Sequence, residues 1–99
     1  MSLEEKIIDN LRKVYDPEIG VNVYDLGLIY DIDIDFFPKV TVTHTLTTAW
    51  CGFADEIVSM IENACIDSGA ETVDVITTFE PQFTMDMVPE ETKLMLGWI

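Results

Sequence analysis

Two cysteines and one histidine are the side chains of this 99-residue chain best suited to binding a soft metal or attacking an electrophile. Cys51 follows Thr47-Thr48-Ala49-Trp50 and directly precedes a run with helical periodicity. Backbone N–H groups at a helix start have no intrahelical partner, and the helix dipole favours an anion there. A thiol so placed is expected to lose its proton more readily, and thiolate is the form that ligates soft metals or acts as a nucleophile. Asp55 and Glu56, one turn on, oppose that effect. The alternative reading of Cys51 is a small buried apolar residue. Cys65 comes fourteen residues later, read as part of the same helix, which puts the two thiols about 21 Å apart at ~1.5 Å per residue. It falls on the apolar stripe and reads as core. His44 shares a strand face with Val42 and Leu46. It reads as a buried, hydrogen-bonded histidine, with a role as second ligand or proton partner to Cys51 left open. No Cys-x-x-Cys pair and no conventional zinc spacing is present.

The other polar constellations offer less. Asp31, Asp33 and Asp35 share a strand face, where neighbours stand about 6.8 Å apart at ~3.4 Å per residue. That is too spread for one well-ligated cation, so a solvated or partner-facing surface is expected. There is no phosphate-binding glycine loop, and no serine-type triad can be assembled. With 19 acids against 5 bases the net charge is −14, which excludes a nucleic-acid groove and disfavours anionic membranes. The acidity suits solubility, a basic protein partner or cations. No apolar run approaches the ~18 residues of a membrane span, and no signal peptide is visible. Two cysteines do not make a disulfide scaffold, so a cytoplasmic location with reduced thiols is expected.

These residues must be positioned by a small domain. The length suits one domain, residues 1–99, and the 48% hydrophobic content suits a packed core. Leu3, Ile7, Ile8, Leu11, Val14 and Tyr15 recur at helical spacing, behind Ser2 and Glu5 at capping-box spacing, and predict a first helix over Leu3 to Tyr15. Pro17 disfavours helix at Asp16. After an extended loop from Asp16 to Leu26 the period changes to two. Leu28, Tyr30, Ile32, Ile34 and Phe36 form an apolar face, alternating with Ile29 and the aspartates. A short turn, Phe37-Pro38-Lys39, leads to a second strand with Val40, Val42, His44 and Leu46 on one face, so the two make an antiparallel hairpin. A second helix is predicted from Phe53 to Ser68, stopped by Gly69. Val73, Val75, Thr77 and Phe79 predict a third strand, and the tail holds a helical turn or two between Pro89 and Leu96. The fold class is α+β, in the order α-β-β-α-β, with two helices on one face of a three-stranded sheet.

Several of these residues line up with a known pattern. Asp16-Pro17-Glu18, Asp25-Leu26-Gly27-Leu28, and Thr45-Leu46-Thr47-Thr48 followed by Cys51, in this order and spacing, resemble the small iron–sulfur cluster assembly domain. That metal–sulfur cluster biosynthetic family includes SufT-like and PaaD-like proteins, and the resemblance covers nearly the whole chain. It implies a role in building clusters or delivering them, or iron, to client apo-proteins. It puts the reactive cysteine at Cys51 and supporting positions at Asp16, Glu18, Asp25, Thr47 and Thr48. The sequence departs from the usual pattern at Gly52 and Ala49-Trp50, where the family carries proline and Pro-Gly, and at Pro81-Gln82-Phe83, where it carries Pro-x-Trp.

Ligand counting adds a constraint, because an iron–sulfur cluster normally takes four protein ligands. One thiolate, with or without His44, can hold a cluster only transiently and with help from a second subunit, a client or a small thiol. The expectation is therefore a maturation factor and not a classical enzyme, with no tightly bound cofactor. Its expected partners are client apo-proteins and other assembly factors, and a homodimer is a further expectation for a domain of this size. The rival reading is a non-catalytic accessory subunit that docks onto a metalloenzyme such as a ring oxygenase. A thiol enzyme is disfavoured because no base is clearly placed to serve Cys51. Alanine at Asp16 or Glu18 is expected to weaken delivery without unfolding the protein, on the view that an extended loop tolerates side-chain loss.

Overall fold

The computed structural model describes residues 1–17, 19–47 and 52–97. Glu18, Thr48 and Cys51 lie outside the described residues. Helix α1 spans Leu3–Leu11, and the Ser2 hydroxyl caps it by accepting from the Glu5 N–H at 3.1 Å. Its end comes four residues before the predicted Tyr15. Lys13 and Val14 donate to carbonyls only three residues back, a tightening that closes the helix. Beyond it the chain extends, because a hairpin competes for its backbone groups. Val23 donates to the Val14 carbonyl, Asp16 donates to the Val21 carbonyl, and Tyr15 bridges Asn22.

Strands β1 (Ile29–Ile34) and β2 (Lys39–His44) form the expected antiparallel hairpin. At its turn the Asp35 carboxylate accepts from the Lys39 and Phe37 N–H groups, which hold its pKa below the usual value. The apolar face of β1 differs from the simple alternation. The register shifts between Ile29 and Asp31, so that Ile29 lies opposite His44 and Asp31 opposite Thr43. That bulge turns Ile29 to the core side with Ile32 and Ile34 and leaves Tyr30 as the extra residue. Phe36, predicted to continue the apolar face, is 88% exposed beyond the strand end and stacks on Phe37 at 4.5 Å between ring centroids.

Helix α2 spans Ala54–Ser68 and closes at Gly69, whose φ of +116° is the left-handed cap that glycine favours. Its apolar stripe, including Ile57, Ile61, Ala64 and Cys65, is buried. The helix is also the crossover that returns the chain to β3 (Thr72–Thr77), parallel to β2. The sheet order is β1-β2-β3. Ile7 and Leu11 of α1, the α2 stripe, and Val40 and Val42 of β2 form one apolar cluster. Asn10 ties α1 to α2 by donating to the Ser68 hydroxyl at 2.8 Å.

The tail supplies a third helix. A 3₁₀ turn at Met85–Met87 precedes α3 (Glu90–Leu96), within the span predicted to hold a turn or two. The Tyr30 hydroxyl donates to the Pro81 carbonyl at 2.8 Å, and the Thr92 hydroxyl donates to the Asp25 carbonyl at 3.2 Å. No helix among the described residues is long and apolar enough to cross a membrane.

Candidate functional site

The hairpin after α1 carries the acidic loop. The Gly20 N–H donates to the Asp16 carbonyl at 2.7 Å, and Gly20 adopts φ +80°, which closes the loop. The Asp16 side chain is 1% exposed, in contrast with the expectation of a tolerant extended loop. Its carboxylate accepts from the Ile19 N–H at 3.3 Å and, over a long 3.5 Å, from the Thr47 hydroxyl. Thr47 stands just past the end of β2 and four residues before Cys51 in the sequence. Two of the predicted site residues, 31 positions apart in the chain, are thus brought together. A buried polar side chain needs such partners to replace the water it has lost.

Asp25 does different work. The Asn22 side-chain amide donates to its carboxylate at 2.8 Å, and the Asp25 backbone N–H donates back to Asn22 Oδ1 at 2.8 Å. Arg12 stands 3.5 Å from its other oxygen. Together with the Thr92 contact, this makes Asp25 a fastener of its turn to the end of α1 and to the tail.

His44 is buried, and both ring nitrogens are engaged. Nδ1 lies 3.2 Å from the Thr45 carbonyl, which can only accept, so Nδ1 carries the proton. In the neutral ring Nε2 then accepts from the Thr77 hydroxyl at 2.8 Å. Burial pushes the His44 pKa down, and the Thr45 carbonyl partly offsets this. A ligand role would require breaking the Thr77 contact. Cys65 is fully buried, and burial pushes its thiol up to about 11, so it stays protonated and unreactive near neutrality. Helix α2 begins at Ala54, three positions after Cys51 in the sequence. Cys51 itself lies outside the described residues, and so does the expected spacing of about 21 Å between the two thiols.

Sequence reasoning missed two members of this region. Thr77, the partner of His44, was readable once the apolar faces of β2 and β3 are laid in parallel register, which aligns Val40 with Val73, Val42 with Val75 and His44 with Thr77. Thr45 is fully buried, and its hydroxyl has no hydrogen-bond partner among the described residues. Nothing in the sequence signalled that. Among the described residues no group of three or more histidine, cysteine or acidic side chains could hold a metal ion.

A family model described as iron–sulfur cluster assembly protein matches residues 4–77, which takes in α1, the acidic loop, the whole sheet and α2. The chain belongs to the iron–sulfur cluster assembly protein family. The family's relatives include a Porphyromonas gingivalis protein named Fe-S protein maturation auxiliary factor, 46% identical over 101 residues that span 100% of this chain and 95% of that one. The Bacillus subtilis Fe-S protein maturation auxiliary factor YitW is 35% identical over 97 residues, 97% of this chain and 95% of that one. The crystal structure of a DUF59 domain of unknown function from Bacillus anthracis superposes with a TM-score of 0.88 at 30% identity, covering 96% of this chain and 92% of that one.

Proposed function

We propose that this protein is an auxiliary factor in iron–sulfur protein maturation, and that Cys51 takes part by holding a cluster, or iron, for a client apo-protein. The observation that supports this reading best is the clasp between Asp16 and Thr47. It fastens the acidic loop to the strand end from which the chain reaches Cys51 within four residues. Relatives matched over nearly their whole length carry the name of maturation auxiliary factor, and that role is transferred here on this basis.

The cargo is a substrate, not a resident group. With Cys65 protonated in the core and both nitrogens of His44 occupied, a single thiolate per chain is the realistic soft donor. The remaining ligands come from a second subunit, a client or a small thiol. Transfer follows by ligand exchange: a client thiolate takes the metal site as the metal–sulfur bond to Cys51 breaks, and Cys51 regains a proton. Incomplete ligation favours departure, which suits delivery over storage and a non-enzymatic role.

Anaerobic reconstitution with iron and sulfide tests the proposal. Bound cluster should be below one per chain and labile to chelators. Cys51→Ser should abolish it and Cys65→Ser should not. Alkylation of the native protein at neutral pH, read by mass spectrometry, should label Cys51 well before Cys65. A tight cluster that survives Cys51→Ser would sink the mechanism, and complete absence of iron or cluster binding would favour an accessory subunit instead.

A further inference from the structure

The sheet has two edges, and they differ. The β1 edge is interrupted by the bulge at Tyr30, whose hydroxyl carries the tail at Pro81. The β3 edge is regular. Its pairing with β2 runs unbroken from Thr72 to Thr77, and the next residue, Thr78, donates to the His44 carbonyl at 2.8 Å. In a parallel ladder alternate residues direct their N–H and C=O groups to the same neighbour. Thr72, Asp74 and Ile76 therefore serve β2, while Val73, Val75 and Thr77 aim their backbone groups away from the sheet. No described residue pairs with those outward groups.

An open, unbulged edge of β-favouring residues is a template for another extended chain. The flanking surfaces say which chain. On the core side, Val73 and Val75 are half-buried at the rim of the apolar cluster. On the other side, Thr72, Asp74 and Ile76 are exposed, and the same face carries exposed Asp31 and Asp33. Lys39, 3.2 Å from Asp74, is the one base among them. A second copy would bring a second net charge of −14 and a second Asp74 to the same edge, and like charges across strands destabilise pairing. A basic strand meets the opposite situation.

We propose that the β3 edge is the docking site for an extended segment of a client protein in which apolar and basic residues alternate. The backbone bonds to Val73, Val75 and Thr77, the apolar side chains lie toward α2, and the basic side chains lie over Asp74 and its acidic neighbours. This rests on the reading of the protein as one that handles clients, but it uses none of the thiol chemistry.

The probes are two synthetic peptides, one of alternating valine and lysine and one of alternating valine and glutamate. Binding is read by fluorescence anisotropy, and the location by amide hydrogen exchange. The lysine peptide should bind and slow exchange at Val73, Val75 and Thr77, and the glutamate peptide should not bind. Val75→Pro removes an outward N–H without touching the β2 ladder, so it should keep the thermal transition and weaken binding by about tenfold or more, equivalent to ~1.4 kcal/mol. Asp74→Lys should shift the preference toward the glutamate peptide. Cys51→Ser should leave peptide binding unchanged, which separates this proposal from the cluster chemistry. Equal binding of both peptides, protection elsewhere on the molecule, insensitivity to Val75→Pro in a folded variant, or self-association that protects the same amides without peptide would overturn it.

Discussion

Among the described residues, Asp16 and His44 are buried ionisable side chains whose hydrogen-bond partners set what they can do. The Asp16 carboxylate accepts from Ile19 and Thr47 while almost wholly out of water. Replacing it with alanine leaves those donors without their acceptor, which costs about 1–3 kcal/mol for a buried polar group. Asp16→Ala should therefore lower the midpoint of urea unfolding, and Asp16→Asn, which keeps an acceptor oxygen, should lower it less. An unchanged midpoint for the alanine variant would mean that the carboxylate is not a fastener. His44 makes a prediction about pH. Its pKa is lowered in the folded state, first by burial, so between the folded value and the ordinary ~6.5 the unfolded chain binds more protons. Its stabilising contribution is complete above about pH 6.5 and is lost as the pH falls from there toward the folded pKa. Carboxylates titrate at lower pH and complicate the raw curve, so the quantity to measure is the difference from His44→Gln. Between pH 7.5 and 5.5, stability should fall more in the wild-type protein than in the variant, and parallel curves would show that His44 is not held neutral.

At the scale of elements, what was legible in the sequence is what local chemistry decides. Helix α2 and its stop at Gly69 follow from a 3.6-residue stripe and a residue free to adopt positive φ. The buried face of β2 follows from strict alternation. Decisions made across the chain were not legible. Val14, Tyr15 and Asp16 fit the helical pattern or its boundary, yet they are taken by a hairpin with residues 21–23. Tyr30 fits the apolar alternation, yet pairing with β2 makes it a bulge. The site behaves in the same way: the resemblance singled out Asp16 and Thr47, but their contact, like that of His44 with Thr77, depends on tertiary register. The glycine of Asp25-Leu26-Gly27 shows how the tail enters. Gly27 has φ +84°, and a Cβ there would come within 3.0 Å of the Met87 carbonyl oxygen. Gly27→Ala combines an unfavourable conformation with a clash against backbone, and should cost about 1 kcal/mol or more. Because the clash is with the 3₁₀ turn, hydrogen exchange should speed up in the tail before it does in α2. Uniform loss of protection would instead place Gly27 in the global core.

For the whole molecule, charge is the dominant property, and it predicts opposite responses to salt in stability and in binding. Nineteen acids against five bases make the folded state a concentration of like charge, which disfavours compactness through self-repulsion. The ion pairs that salt would weaken are three among the described residues, Arg12 with Asp9, Arg12 with Asp25, and Lys39 with Asp74, all partly exposed. Exposed pairs contribute at most about 1 kcal/mol each and often nothing measurable. Screening at ~0.15 M salt already acts beyond about 8 Å and shortens further as salt is added, so the many longer-range repulsions are relieved. The thermal midpoint should therefore rise between low salt and about 0.5 M sodium chloride. A basic strand docked along β3 experiences the same screening with the other sign, since its attraction to Asp74, Asp31 and Asp33 is what distinguishes it from a neutral one. Over that salt range the lysine-containing peptide should lose affinity while the protein itself becomes more stable. A falling thermal midpoint would mean that the three ion pairs outweigh the repulsion. Salt-independent peptide binding would mean that backbone pairing alone, without the acidic face, selects the partner.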